Sequence, residues 1–210
     1  MESNNDQYTF ELANDTHLSE ILSFLHENFD KEETVLKSLR DNNSLTMEDE
    51  ESMRIDHERL IRAIFNSKFD DGADGVSAVF SNNPPKNELM KRYFNYFAEI
   101  SETADLYGKF SNSKAAVEFY AVVVDRNYRR QGLSRSLMAA GISFAKNTVK
   151  DVGFIFGLYT SLYSKKAAER LGLKSVMDVD LLHYKDDHGR PIFQDTPPHN
   201  IVSVMVLQLI

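Results

Sequence analysis

The sequence predicts an α/β fold, a single domain over residues 1–210 with a mixed, mostly antiparallel central sheet flanked by helices. Three observations lead there. Segments with alternating or continuous apolar character recur between segments of helical periodicity, in the order β-α-α-β-β-α-β-α-β-α-β-β. The run Val117 to Val124 is apolar enough to be a strand buried on both faces, and it passes through a glycine-containing turn into an amphipathic helix. Finally, 210 residues with 42% hydrophobic content can bury one sizeable core, and no repeat or low-complexity linker divides them.

In chain order, the polar residues 1–7 leave their own order open, and Tyr8 to Leu12 reads as a first strand. Asp15 or Thr16 caps a helix that places Leu18, Ile21, Leu22, Leu25 and Phe29 on one face. A short helix over Glu32 to Leu39 turns Val35, Leu36 and Leu39 inward. Asn42 to Ser44 breaks the pattern, and the acidic run 48–51 is a solvated helix face. Leu60 to Phe65 and Gly75 to Phe80 read as a hairpin around a turn rich in Asp and Gly. Glu88 to Tyr107 carries Leu89, Tyr93, Phe94, Phe97, Ile100 and Ala104 at helical spacing. After the Val117–Val124 strand, a helix presents Leu133, Leu137, Ala140, Phe144 and Ala145 inward. Phe154 to Leu158 is a strand, and a helix through Ala167, Ala168 and Leu171 ends at Gly172, which suits a helix C-terminus. Lys174 to Tyr184 and Ile201 to Leu209 are the last strands, separated by the polar turn 185–191.

Composition excludes several chemistries. Without cysteine there is no disulfide, thiolate metal site or cysteine nucleophile. The six histidines lack paired ligand spacing, so no metal is expected. A net charge of −8 argues against nucleic acid and suits a cationic small substrate. No segment has the apolar length of a membrane span, and the polar start is no signal peptide. The expectation is a cytosolic monomer acting on small molecules, with neither nucleic acid nor a membrane as partner.

The richest motif is Val122-Val123-Val124-Asp125-Arg126-Asn127-Tyr128-Arg129-Arg130-Gln131-Gly132-Leu133-Ser134-Arg135-Ser136. A strand, a basic turn and a helix start make an anion site, because first-turn N–H groups are unpaired and the helix dipole is positive there. Gly132 allows close backbone approach, and Arg129, Arg130 and Arg135 add charge. Neither a nucleotide P-loop nor a Gly-x-Gly-x-x-Gly dinucleotide motif is present.

Arg129-x-x-Gly132-x-Ser134 resembles the pyrophosphate loop of GNAT acetyltransferases, Gln/Arg-x-x-Gly-x-Gly/Ala, with Ser134 replacing the last small residue. Tyr163-Ser164 followed by Leu171-Gly172-Leu173 is similar to the Tyr-Ser…Leu-Gly-Phe helix of invertebrate arylalkylamine N-acetyltransferases. The segments 183–187, Pro198-His199 and Val204-Met205 resemble the C-terminal signatures of that branch. Val124 to Arg129 fits its Val-Asp-x-Asn-Tyr-Arg run, and residues 29–34 its Phe-x-Lys-Asp-Glu-Pro segment, with Thr34 in place of proline.

The resemblance implies the GNAT fold and transfer of the acetyl group of acetyl-CoA, without a metal, to a small primary amine by direct attack in a ternary complex. Arylalkylamines such as dopamine, serotonin, octopamine and tryptamine lead. Polyamine or diamine acetylation, transfer of a longer acyl chain, and a catalytically weak CoA-binding module are the alternatives. An alkylamine is mostly cationic at neutral pH, so a base is needed. The resemblance puts it at Glu33, with Glu32 one register away. It puts the proton donor at Ser164 or Tyr163, with Thr160 where an earlier family serine stands. The backbone of Val122, Val123 and Val124 would pair with pantetheine, and Arg129, Arg130, Gln131, Gly132, Leu133, Ser134, Arg135 and Ser136 would hold the diphosphate. From the residues alone, Ser164 is equally a helix cap. Tyr93, Phe94, Tyr96 and Phe97 are either core or, with Phe29, the wall of an arylalkyl pocket. His199 either orients a polar group at the mouth of the acceptor site or simply occupies a turn.

Overall fold

Alternation along two strands sets the architecture. The computed structural model describes residues 8–66, 84–194 and 196–209. Among these, β1 (Ala115–Glu118), β2 (Val152–Tyr159), β3 (Lys174–Asp180) and β4 (Ile201–Gln208) form one sheet in the order β1-β2-β4-β3. The β1/β2 pair is parallel; β2/β4 and β3/β4 are antiparallel. Phe154, Phe156 and Leu158 of β2, with Val202, Val204 and Val206 of β4, face the larger core; Ile155, Tyr159 and Met205 face the smaller one.

The larger core is covered by α2 (Thr34–Asp41), α3 (Met47–Asn66) and α4 (Glu88–Ala104), which contribute Leu36, Leu39, Leu60, Met90 and Tyr96. The smaller lies under α6 (Leu133–Thr148) and α7 (Leu162–Glu169), through Met138, Ile142, Ala145 and Ala168. Two further helices are α1 (Leu18–Asn28) and the single turn α5 (Leu106–Lys109). The expected mixed, mostly antiparallel sheet between helical layers is what the chain forms. No described helix is long and apolar enough to cross a membrane.

Several element assignments change. Tyr8 to Leu12 forms no strand. Leu60 to Phe65 is not a strand but the last turns of α3, since Leu60, Ile61 and Ile64 also satisfy helical spacing. Its expected partner, Gly75 to Phe80, lies outside the described residues. The Val117–Val124 strand is shorter and starts earlier: β1 stops at Glu118 and is an edge among the described strands. The helix expected to reach Tyr107 ends at Ala104, where Asp105 takes a left-handed conformation (φ 43°) and its side chain caps α5. On α6, Leu137 faces solvent and Met138 and Ile142 face inward. The β3 strand ends at Asp180, followed by a 3-10 turn over Leu181–His183. Gly172 terminates α7 as expected, at φ 90°, with its N–H on the Glu169 carbonyl and Leu173 N–H on that of Ala168.

Candidate active site

The site opens where β1 and β2 part. Their pairing runs to Glu118 and Phe156, and the N–H of Phe119 still reaches the Phe156 carbonyl at 2.8 Å. Beyond that, β2 continues to Tyr159 against β4 alone, while residues 119–125 leave the sheet. Gly157 stands at the fork: a Cβ there would lie 3.0 Å from the Phe119 carbonyl oxygen, so a larger residue would push the strands apart where they still touch. The resulting cleft, of about 1540 Å³, is walled by the α1–α2 junction, α4, residues 118–124, the end of β2, α7 and the loop before α6.

Glu33 is the N-cap of α2, its Oε2 accepting the Leu36 N–H at 2.8 Å. That bond, with the apolar first turn behind it, draws the side chain inward to 8% exposure. Burial pushes its carboxyl above the ordinary glutamate value; the Thr160 side chain and the N–H groups of Leu36 and Val35 oppose the rise. Although Thr160 lies close enough to favour the charged form, Oε1 has no hydrogen bond of ordinary geometry among the described residues. It is the unshared oxygen, on a residue that lines the cleft.

Glu32 differs completely. It forms ion pairs with Arg126 and, at 2.7 Å, with Nη2 of Arg129. Its burial alone would raise its carboxyl, but hydrogen bonds from Arg129 and Arg126 hold it below the usual range. Arg129, expected to face a diphosphate, is thereby turned towards Glu32, with its Nε on the Val124 carbonyl at 3.0 Å.

The fold also assembles a group that sequence reasoning missed. Buried Asp30 sits with Oδ1 2.6 Å from Nδ1 of His57 and Oδ2 3.2 Å from Nδ1 of His26. His57 is 3% exposed; its Nε2 lies 3.4 Å from the Tyr120 hydroxyl, and its ring stacks on Phe29 at 5.7 Å. Tyr120 and Phe29 line the cleft. An Asp beside a Phe and a His on a helix carry no local motif, so only their burial marks them.

The loop before α6 begins with a 3-10 turn over Arg126–Tyr128, capped by Asp125. Arg130 (φ 66°) and Gly132 (φ 80°) are both left-handed, a shape that gathers backbone N–H groups on one side. Gly132 caps α6 without a side chain, and the N–H groups of Leu133, Ser134 and Arg135 have no acceptor among the described residues. Arg130 and Arg135 line the cleft and make no ion pair among the described residues. Val122, Val123 and Val124 also line it, outside any strand. Gln131 and Ser136 do not line it; Gln131 instead accepts the Tyr8 hydroxyl at 2.6 Å.

At the end of β2, the cap of α7 is Ser161, which accepts the Tyr163 N–H. Ser164 is therefore not the cap; it lies one turn in, its hydroxyl donating to the Ser161 carbonyl at 2.9 Å. Thr160, Tyr163 and Ser164 all line the cleft, though Tyr163 is 70% exposed and meets His199 edge-on at 5.3 Å. Nδ1 of His199 accepts the Leu162 N–H at 3.2 Å, and burial holds the imidazole below its ordinary value. His199 thus tethers the start of α7. Of the suspected aromatics, Tyr93, Phe94 and Phe97 face the cleft, while Tyr96 packs between Tyr184 and Phe193.

No protein-family model and no curated protein sequence matches the chain. Solved structures do. A mosquito arylalkylamine N-acetyltransferase-like 5b superposes with a TM-score of 0.69 at 19% identity, over 95% of this chain and 98% of that one. Arylalkylamine N-acetyltransferase 2 of Aedes aegypti gives 0.74 at 16% identity over the same shares. The Drosophila melanogaster polyamine N-acetyltransferase, which forms N-acetylagmatine, gives 0.68 at 15%, again over 95% and 98%. The chain has the GNAT fold. Within this GNAT fold the parted strands β1 and β2, the Gly132 loop and Glu33 at the start of α2 line one cleft.

Proposed function

We propose that this GNAT-fold chain is an N-acetyltransferase that moves the acetyl group of acetyl-CoA to a small primary amine by direct attack in a ternary complex. One observation carries the reading. The cleft that holds the free N–H groups of the α6 start also holds Glu33, a buried carboxylate whose affinity for a proton is raised.

The residues divide the work. The α6 N–H groups, with Arg130 and Arg135, suit a diphosphate, and the backbone of Val122 to Val124, which is in no strand and of which the Val124 carbonyl accepts Arg129 Nε, suits pantetheine amides. An ammonium entering beside Glu33 gives up one proton to its carboxylate, and the freed nitrogen lone pair attacks the thioester carbonyl carbon. As the tetrahedral intermediate collapses, the C–S bond breaks, the nitrogen sheds its second proton and the leaving thiolate takes one up, with the Ser164 hydroxyl as donor or orienter, reprotonated from the nitrogen when it donates, and Tyr163 next to it. The Glu32–Arg126–Arg129 ion pairs tie the α1–α2 junction to the diphosphate loop. Phe29, Tyr93, Phe94 and Phe97 supply apolar wall for the rest of the amine, and likeness to the arylalkylamine enzymes puts dopamine, serotonin, octopamine and tryptamine first. The reading takes the chain as a single domain working as a monomer in the cytosol.

The test is release of CoA from acetyl-CoA by the purified protein with dopamine, tryptamine, spermidine, putrescine and a lysine peptide. Acetylation of any small amine, lost in Glu33→Gln, supports the reading. Binding of CoA with no turnover of any amine contradicts it.

A further inference from the structure

Glu118 is the one charged residue in the apolar run that forms β1 and its continuation to Val124. Strand alternation places Ala116, Glu118 and Tyr120 on one face and Val117 and Phe119 on the other. The packing agrees, with Ala116 and Tyr120 against the larger core and Val117 and Phe119 against the smaller. Glu118 therefore lies on the same side of the sheet as α2 and α4, and it lines the same cleft as Glu33.

A carboxylate drawn out of water costs free energy unless something pairs with it. Among the described residues no Lys, Arg or His pairs with Glu118, and burial alone pushes its carboxyl up to about 7. The groups that feel its charge are the phenols of Tyr107 and Tyr120. The cations lining the cleft belong to other elements: Arg126, Arg129 and Arg130 to the loop before α6, Arg135 to the first turn of α6, Lys166 to α7 and Arg170 to its C-cap. Lys91, on α4, is paired with Glu88. The cleft lining thus joins those cations with two carboxylates on other elements, Glu118 at the end of β1 and the exposed Glu102 on α4. An unpaired carboxylate beside phenol rings suits an ammonium group, which takes charge from the one and ring faces from the others. Along α4, the lining residues Tyr93 and Ser101 are ~12 Å apart on the helix axis, room for several methylenes.

We propose that Glu118, with Tyr120 beside it, is a subsite for a second cationic group of the acceptor. An amine that fills the cleft then reaches from Glu33, where its reacting nitrogen lies, to Glu118, and is a diamine or polyamine. This rests on the acetyltransferase reading and, within its small primary amines, places diamines and polyamines ahead of the arylalkylamines that likeness alone puts first. A cation settling at Glu118 displaces the proton that the carboxyl holds near neutrality, so dication affinity rises with pH through that range. Asp30 and Glu33, which also act on Tyr120, add to the negative field that the dication meets.

The experiment compares putrescine with n-butylamine, its one-nitrogen counterpart, and with phenethylamine, in the wild type and in Glu118→Gln at saturating acetyl-CoA. We expect kcat/KM for putrescine to exceed that for n-butylamine at least tenfold. In Glu118→Gln that ratio falls at least tenfold, through KM rather than kcat. Calorimetric titration of putrescine into the CoA-bound protein reads the subsite without turnover, and binding at least tenfold weaker in the variant is the expected result. An unchanged ratio in Glu118→Gln, a wild-type preference for phenethylamine over putrescine, or equal putrescine binding by both proteins overturns the proposal. If calorimetry shows the expected loss while no amine is acetylated, the subsite stands and the acetyltransferase reading falls.

Discussion

Oε2 of Glu32 lies 2.7 Å from Nη2 of Arg129, while its neighbour Glu33 has no Arg or Lys on its carboxylate among the described residues. Two adjacent glutamates therefore have opposite proton affinities, one lowered by arginines and one raised by burial. Glu33→Gln is expected to lower kcat/KM by on the order of 10²-fold or more. A base works deprotonated, so activity rises as pH passes through the raised value of Glu33, and this limb disappears in the variant. Glu32→Gln loses a partly exposed ion pair worth about 1 kcal/mol or less and keeps the limb. Initial rates across pH in both variants check this.

Thr160 is one of the groups that restrain the rise at Glu33. Replacing it with valine removes that restraint at nearly constant shape. The acid limb of the pH–rate profile should then move to higher pH, with the alkaline plateau least affected. A limb that stays in place in Thr160→Val would separate Thr160 from the base.

Gly132 has φ 80°, yet a Cβ there meets nothing within 4 Å, so Gly132→Ala tests backbone conformation rather than space. The left-handed conformation costs an L-residue roughly 1–2 kcal/mol. A fall in Tm of about 2–8 °C follows for a chain of this size, together with a higher KM for acetyl-CoA. Gly189, at φ 75° with equally open surroundings in the 185–191 turn, is the control. Gly189→Ala should lower Tm similarly and leave that KM alone.

Asp30 is held below the usual carboxylate value: its burial works the other way, but His57 and His26 outweigh it. A depressed folded value contributes stability above the unfolded pKa, and that stability is lost as pH falls through the folded one. Tm should therefore drop as pH goes below the ordinary aspartate range, around 4. Asp30→Asn should flatten this part of the Tm–pH curve and cost about 1–3 kcal/mol near neutrality, because it takes the carboxylate away from the buried Nδ1 of His57. Thermal melts across pH decide it.

The parts of the site that were legible in the sequence are those built by neighbours in the chain. The Gly132 turn, the helix after it and the Gly172 stop depend on backbone conformations that a single glycine permits, so short motifs record them. Glu118 also left a trace, as one charge within an apolar run. The Asp30–His57–Tyr120 group left none, because its members come from three separate segments. Leu60 to Phe65 misled for a related reason: five or six apolar-rich residues suit strand and helix alike, and it is packing on α4 and the sheet that selects the helix.

By itself, then, the sequence determined the α/β class and the parallel of its motifs with GNAT enzymes, and it singled out the pair of glutamates proposed to hold the base. Which glutamate is buried and which is clamped, where β1 leaves β2, and that Ser161 rather than Ser164 caps α7 were decided only by the tertiary structure. Proton affinity depends on desolvation and on charges a few ångströms away, and for Glu32 and Glu33 those are supplied by residues far along the chain.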